Sequence, residues 1–358
     1  MRVLYFLIPM LVSLILEFPL KKIALKLGLY AKENARTIHH GHIPRIGGVA
    51  IYIAFMVGCL LFVKENVTVK GVIIGGSIIF LEGLLDDAFD VKPIVKIIFQ
   101  FAAATVLIFV GRVFLYRITL PFGITFRVNY LGYIITYLWI IGITNAVNLL
   151  DGLDGLAGGF SVIVLMTVAV LASIFNVHNS YLICTILAGA TMGFLYHNFH
   201  PASIFMGDCG SQFLGFMIAA ITVISFKSVT FITLGIPIIL LFVPIFDTFS
   251  AIIRRKLAHK SISSPDKQHF HHILMRSLGQ TGATLTIYII TAVFGFTAYL
   301  YIRNSAAGTL VLVLLIIIFE IFIEYTGMIS NKYRPILNLL DRIARKHYKK
   351  AEETKSDE

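Results

Sequence analysis

Charge is scarce in this 358-residue chain: 14% of its residues are Asp, Glu, Lys or Arg, against 58% that are hydrophobic. A soluble domain carries about a quarter charged residues, so an ordinary water-soluble fold is excluded. Acids are rarer than bases, 19 against 30, which leaves a net charge of +11. Cysteine is rarer still. Cys59, Cys184 and Cys209 fall on different segments with no CxxC spacing, so neither a disulfide framework nor a cysteine zinc site is indicated. No tandem repeat or low-complexity tract is visible, apart from a polar tail from about residue 351.

What the chain has in abundance is apolar sequence in long runs, with a mean hydropathy of +0.86. Such runs, each about as long as a bilayer is thick, define an all-α polytopic membrane protein. Eleven spans are expected, near residues 2–20, 45–63, 71–85, 94–114, 131–149, 157–175, 181–198, 211–226, 231–253, 283–302 and 308–326. The first has no basic leader beyond Arg2 and no small-residue cleavage site before Lys21, so it reads as a span, not a signal peptide. If it runs from outside to inside, the inward segments hold 22 of the 30 Lys and Arg. The positive-inside rule then puts the amino terminus outside and the carboxyl terminus in the cytoplasm. The positive charge belongs to topology and anionic lipid, and no nucleic-acid partner is expected. Residues 1–330 are expected to form the transmembrane domain, 331–350 a basic amphipathic helix on the inner leaflet, and 351–358 a disordered tail. Ile336, Leu339, Leu340 and Ile343 would form the apolar face of that helix.

With this topology the polar motifs all gather on the inward side. LLDDAFDVKP closes the third span with Asp86, Asp87 and Asp90. An ionised carboxylate at the bilayer centre costs about 2.5–3.5 kcal/mol on insertion scales, but at a helix end it stays hydrated or holds a cation. Mg²⁺ suits such carboxylates, completing its shell with substrate phosphates. The bland alternative is an acidic helix end paired with Lys92 or Lys96. TNAVNLLDGLDGLAGG then sets Asn145, Asn148, Asp151 and Asp154 three apart, with glycines that permit a broken helix or a close backbone approach. YHNFHPASIFMGDCGSQFLG brings Asn198, Pro201, Phe205 and a further acid, Asp208; Phe205 could pack or stack on a planar base. The loop RRKLAHKSISSPDKQHFHHILMRSLG sets His269, His271 and His272 beside Arg254, Arg255 and Lys267. His-x-His-His without cysteine does not complete a tetrahedral zinc set, whereas phosphate oxygens suit imidazoles and arginine forks. Asp247, seven residues before Arg254, is expected to pair with it, and Pro237 and Pro244 to bend the ninth span and open a groove for a lipid tail. Acids and cations at one interface point to a phosphate-bearing ligand with a metal.

These motifs resemble the polyprenyl-phosphate N-acetylhexosamine-1-phosphate transferase family. IPRIGG at 43–48, LDDAFD, NAVNLLDGLDGLAGG, FMGDCGS, PIFDTFSAIIRR and SPDKQHFHH occur in the family's order over about residues 30–280. The ending SPDKQHFHH resembles the WecA/TagO branch, which uses UDP-N-acetylglucosamine (UDP-GlcNAc), more than the MraY branch, which uses a UDP-muramoyl-pentapeptide. The resemblance implies transfer of a sugar-1-phosphate from the UDP-sugar to undecaprenyl phosphate, with release of UMP and with Mg²⁺ or Mn²⁺ bound. This would be the first membrane step toward a surface glycan such as a teichoic acid or lipopolysaccharide O-antigen, in a bacterial inner membrane. It implies Asp208 as metal ligand, Asp87 as the base or orienting group for the lipid phosphate, and Asp86 in support. Asn148, Asp151, Asp154, Asn198 and Phe205 would line the nucleotide site; His269, His271, His272 and Arg255 would hold the diphosphate or sugar. Lipid phosphate would attack directly, without an enzyme-bound sugar phosphate. The chain departs from the family at Thr37, where a basic residue is usual, and at AKE of 31–33, where an acid of DKP type is usual. A homodimer stays open, as do two rival classes: a cation-coupled transporter, which would place acids near the midplane and show repeats, and an intramembrane aspartyl protease using Asp86 or Asp87 with Asp208.

Overall fold

Among the described residues the apolar runs fold mainly as helix, because a backbone in hydrocarbon must bond to itself. The computed structural model describes residues 2–30, 43–119, 125–226, 235–259, 261, 268–328, 334–340 and 342. Thr37, the AKE segment, Lys267, Ile343 and the tail of 351–358 lie outside the described residues. The helices are α1 (Leu4–Leu27), α2 (Gly47–Phe62), α3 (Val67–Phe89), α4 (Pro93–Thr105, prolonged by a π turn to Val110), α5 (Leu131–Leu150), α6 (Leu156–Ile174), α7 (His178–Asn198), α8 (Asp208–Phe226), α9 (Gly235–Leu240), α10 (Phe242–Leu257), α11 (Phe270–Arg303) and α12 (Ser305–Thr326). A two-stranded hairpin, β1 (Arg117–Thr119) against β2 (Thr125–Arg127), joins α4 to α5. Among the described residues nine helices are long and apolar enough to cross a membrane; α2, with 16 residues, is apolar but shorter. The protein is an all-α polytopic membrane protein.

Helix α8 is the axis of the bundle: nearly all of its residues are buried. It packs between α3 and α5, with α2 and α6 completing its surround. Small residues permit the close approach. A Cβ on Gly83 of α3 would meet the backbone of Asp208 and Cys209 at 2.5–2.6 Å, so the acidic end of α3 lies directly on the first turn of α8. On the far side, α1 runs along α7 and α7 along α6.

The ninth expected span is broken as its prolines suggest. It divides at Leu241 into α9 and α10, and residues 335–340 after α12 are helical with Ile336 and Leu337 donating N–H to the Glu324 carboxylate. Helix α11 is interrupted at Gly279 (φ +70°), which separates a short segment bearing His271 and His272 from the long apolar part.

Candidate active site

Sequence places Asp86 and Asp87 in the last turn of α3, which runs to Phe89 before Asp90 ends it with a left-handed φ of 51°. Asp90 therefore leaves the helical face it would share with Asp86, and it is exposed. Asp86 and Asp87 point to different environments. Both oxygens of Asp87 accept backbone N–H groups of the first turn of α8: Oδ1 from Asp208 at 2.8 Å and Oδ2 from Cys209 at 3.0 Å. A carboxylate here satisfies orphan donors and faces the positive end of the helix dipole. Gly207 makes room for it; φ is +74°, and a Cβ would meet Asp87 Oδ2 and the Arg45 carbonyl, each at 2.5 Å. Asp87, with its side chain 1% exposed, is the cap that aims Asp208.

Asp208 then faces a cluster of side chains from four segments. Its Oδ1 accepts from Arg45 Nη2 at 2.7 Å, and its Oδ2 from Lys96 Nζ at 2.6 Å, Gln212 Nε2 at 3.2 Å and Asn148 Nδ2 at 3.4 Å. Lys96 Nζ also bonds Asp86 Oδ2 at 2.6 Å, while Asp86 Oδ1 accepts from Val91 N–H. The expected lysine–aspartate pairing is thus present, but inside a larger constellation. Arg45 gets there through backbone pairing: Phe205 N–H donates to Pro44 O at 2.8 Å, Gly47 N–H to Phe205 O at 2.9 Å and Gly48 N–H to Met206 O at 2.8 Å. The segments IPRIGG and FMGD are stitched together across 160 residues of sequence, and Arg45 also lies 3.4 Å from Asp87 Oδ1. Burial alone would lower the affinity of this guanidinium for its proton, but Asp87, Asp208, Asp151 and Asp86 outweigh it and hold its pKa above the ordinary value. Nothing local in IPRIGG marks Arg45 as part of a site; the long-range pairing with FMGD brings it there.

The second motif divides into support and surface. Asn148 accepts the Ser211 hydroxyl at 2.5 Å and faces Asp208. Asp151, just past the end of α5, is half-buried; burial pushes its carboxyl up to about 7, opposed by Arg45 and reinforced by Asp208, Asp87 and Asp154. Asp154 and Asn198 serve otherwise. Asp154 Oδ2 accepts from His200 Nδ1 at 2.8 Å and Ala202 N–H at 3.1 Å; Asn198 accepts from Gly155 N–H at 3.0 Å and donates to Ile204 O at 2.8 Å. Both are buried, and they tie the DGLDG turn to the loop carrying Phe205. This puts them behind the site's surface, whereas Phe205 is half-buried at its edge.

The histidine motif forms a second rim, on the turn that carries Gly152. Asp247 does not pair with Arg254; its Oδ1 caps α11 by accepting Phe270 N–H at 2.9 Å, and its Oδ2 lies 3.1 Å from His269 Nδ1 and 3.7 Å from His271 Nδ1. Arg254 turns to the Met328 carbonyl at 3.4 Å. The expectation failed because seven residues bring two groups to one helix face but do not say which neighbouring helix end competes. His269 and His271 are buried, His272 is half-buried with its ring 4.3 Å from that of His271, and Arg255 is half-buried with no hydrogen bond from Nε among the described residues. His271 Nε2 lies 2.5 Å from where a Gly152 Cβ would stand, so the histidine rim docks on the turn beside Asp151. Among the described residues no three His, Cys, Asp or Glu side chains close around a metal by themselves. The cluster around Asp208 instead mixes carboxylate oxygens with the Arg45 and Lys96 cations.

Known proteins resemble this chain in sequence. A sequence profile described as glycosyl transferase family 4 matches residues 69–226. A Bacillus subtilis (strain 168) protein named a probable undecaprenyl-phosphate N-acetylglucosaminyl 1-phosphate transferase is 38% identical over 349 residues, covering 96% of this chain and 97% of the relative. A Mycolicibacterium smegmatis decaprenyl-phosphate N-acetylglucosaminephosphotransferase is 31% identical, covering 77% and 76%. The Escherichia coli (strain K12) undecaprenyl-phosphate alpha-N-acetylglucosaminyl 1-phosphate transferase is 29% identical, covering 72% of each. The first of these relatives spans both rims of the site and every helix that bears them, and the chain belongs to the polyprenyl-phosphate N-acetylhexosamine-1-phosphate transferase family, in its WecA/TagO-like branch.

Proposed function

We propose that the protein transfers N-acetylglucosamine-1-phosphate from UDP-GlcNAc to undecaprenyl phosphate at the inner leaflet of a bacterial plasma membrane, with release of UMP. The observation that carries this reading is the engagement of Asp208 by Arg45 on one oxygen and Lys96 on the other, with Asp86 sharing Lys96. Two cations stand where a diphosphate and its counter-ion would meet acidic oxygens. The membrane setting explains the lipid-borne acceptor. In this reading the chain crosses the bilayer eleven times, with α2 and the broken α9–α10 pair as crossings and with its amino terminus outside. The stretch of 335–340 begins the basic interfacial helix.

The donor set fits a hard divalent cation, Mg²⁺ or Mn²⁺: the carboxylate oxygens of Asp208 and Asp86 meet at Lys96, and ammonium and guanidinium groups already occupy cation positions on Asp208. Asp208 would hold it, with Asp86 and Asn148 beside it. When bound, the ion supplies neutralisation of the diphosphate charge. Two unit charges about 4 Å apart repel by about 4 kcal/mol at an effective dielectric of 20, so two phosphate-bearing reactants need such help. Arg45 is free to pivot from Asp208 to a phosphate because its side chain is 40% exposed. Asp151 and Phe205 would meet the nucleotide, and His272 and Arg255 the diphosphate or sugar, held from behind by Asp154, Asn198, His269 and His271. A lipid-phosphate oxygen bonds to the β-phosphorus as the bond from that phosphorus to the bridging oxygen breaks, and UMP leaves. Positioning and charge neutralisation are the main requirements of such a transfer. Asp87 is held by two N–H groups of α8, and Asp86 by one N–H group and the Lys96 ammonium, so Asp87 would aim Asp208 while Asp86 would orient the acceptor or take its proton once Lys96 turns away.

The test is purified protein with undecaprenyl phosphate and Mg²⁺, offered UDP-GlcNAc, UDP-GalNAc and a UDP-muramoyl-peptide in competition. UMP release with preference for UDP-GlcNAc is expected; absence of UMP release with every donor would overturn the reading, and preference for the muramoyl-peptide would move the chain to the other branch.

A further inference from the structure

One helical turn inside the Asp86–Lys96–Asp208 cluster lies a second polar layer. Three helices repeat the pattern four residues along: Glu82 with Asp86 on α3, Gln100 with Lys96 on α4, and Gln212 with Asp208 on α8; Asn145 lies three before Asn148 on α5. The amides of this inner layer bond to one another. Gln100 Nε2 donates to Gln212 Oε1 at 3.0 Å and to Asn145 Oδ1 at 3.3 Å, and Asn145 Nδ2 donates to Gln100 Oε1 at 2.7 Å. Glu82 is different. It is 1% exposed, and neither carboxylate oxygen has a well-formed hydrogen bond among the described residues; the Gln212 amide that interacts with it is already committed to Asp208. Its charged surroundings are Lys96, Asp208 and Asp86, with Gln212 beside it. A buried carboxylate left without hydrogen bonds is costly, and its retention demands a reason.

Lys96 provides one. Its ammonium bridges Asp86 and Asp208, which are the oxygens a divalent cation would take. A divalent cation on Asp208 and this ammonium repel each other, so one must yield. Arg45, 40% exposed on the outer side, can turn to water or phosphate; Lys96, 21% exposed and walled in by α3, α5 and α8, cannot reach solvent as readily. Glu82 lies one turn from Asp86 on the same face of α3 and offers the nearby negative charge with unfilled acceptors.

We propose that Glu82 is a positioning residue, the inner acceptor for Lys96, so that the ammonium moves from the Asp86–Asp208 bridge to Glu82 when a divalent cation occupies Asp208. This rests on the reading above that Asp208 holds the cation. The inner acid thereby sets metal affinity without touching the metal, and Lys96 keeps the two aspartates paired whenever the ion leaves.

The experiment is Mn²⁺ binding alone, read as loss of the free-ion EPR signal on titrating purified full-length protein, in a double-mutant cycle. With Lys96 present, Glu82→Gln is expected to weaken Mn²⁺ binding about tenfold, within the range of ordinary coupling energies. Glu82→Asp restores part of that affinity, because the acceptor charge returns. Lys96→Met alone tightens binding, and in that background Glu82→Gln changes it less than about twofold, since coupling vanishes when one partner is gone. Lys96→Gln replaces Lys96→Met if the latter does not yield monodisperse protein. Equal loss from Glu82→Gln in both backgrounds would make Glu82 an ordinary ligand or packing residue and overturn the inference, as would no loss with Lys96 present. Asp208→Asn is the control for the underlying assignment: unchanged Mn²⁺ binding in that variant defeats the metal reading itself rather than the role of Glu82.

Discussion

The two rims of the site are built alike and used differently. On one, Asp87 caps α8; on the other, Asp247 caps α11. Each is a buried carboxylate from a neighbouring helix, fixing the first turn of the helix that carries the working residues. The difference lies in what the cap aims. Asp87 spends both oxygens on backbone N–H groups and presents a further carboxylate, Asp208, to two cations. Asp247 spends one oxygen on backbone and the other on His269, and presents imidazoles. A carboxylate in a motif is therefore not by that fact a reacting group. Its partners differ: Asp87 is held by two backbone N–H groups, Asp86 by one together with Lys96, and Asp208 by side chains.

The comparison is broken most severely by removing what the first cap aims. Asp208→Asn is expected to lower UMP release by at least about 10³-fold, the scale of losing a main electrostatic contact, with the protein still monodisperse in detergent. Asp87→Asn follows. It should cost about 10²-fold through misplacement of Asp208, and it should also lower the apparent melting temperature, since a lost helix cap costs about 0.5–2 kcal/mol. Asp86→Asn separates the roles: the amide keeps an acceptor for Val91 N–H, so turnover falls while the melting temperature drops less than in Asp87→Asn. Asp247→Asn is expected to be milder, about tenfold and expressed mainly as a higher KM for the UDP-sugar, because it loosens the histidine rim rather than the metal side. The smallest effect is on stability. Asp151 has a folded pKa of about 7 against an ordinary 3.8, so the folded state holds a proton that the unfolded chain releases between those values. Its contribution to stability therefore falls as pH rises through that window. Asp151→Asn should leave the melting temperature unchanged near pH 4 and raise it near pH 8, measured with EDTA present.

Much of this was legible before any coordinates, for reasons that differ by residue. The helices follow from apolar runs because hydrocarbon permits little else. Asp86 and Asp208 stand out because acids are rare in such runs, and the LDD and FMGD motifs announce them. Arg45 was legible only as part of a resembling segment; its role comes from the pairing of Pro44, Gly47 and Gly48 with Phe205 and Met206, a long-range match with no local signature. Asp247 was misassigned because helical spacing names the residues on its own helix and is silent about the end of α11. For Asp154 and Asn198 the resemblance implies nucleotide contacts, but motif membership is silent about their burial and their bonds to His200 and to backbone. Glu82 stands in the sequence as a lone acid in an apolar run. The signal was there in the four-residue repeats Glu82–Asp86, Lys96–Gln100 and Asp208–Gln212, which stack two polar layers on facing helices.

The central claim is that acidic oxygens of α3 and α8 gather one divalent ion and the sugar-nucleotide diphosphate at the same place. Pulsed EPR of Mn²⁺ bound to the purified protein with UDP-GlcNAc tests it most directly. The account predicts a phosphorus-31 coupling in the wild-type protein that disappears in Asp208→Asn and persists in Asp247→Asn. Bound Mn²⁺ with no phosphorus coupling, or a coupling unchanged in Asp208→Asn, would contradict it.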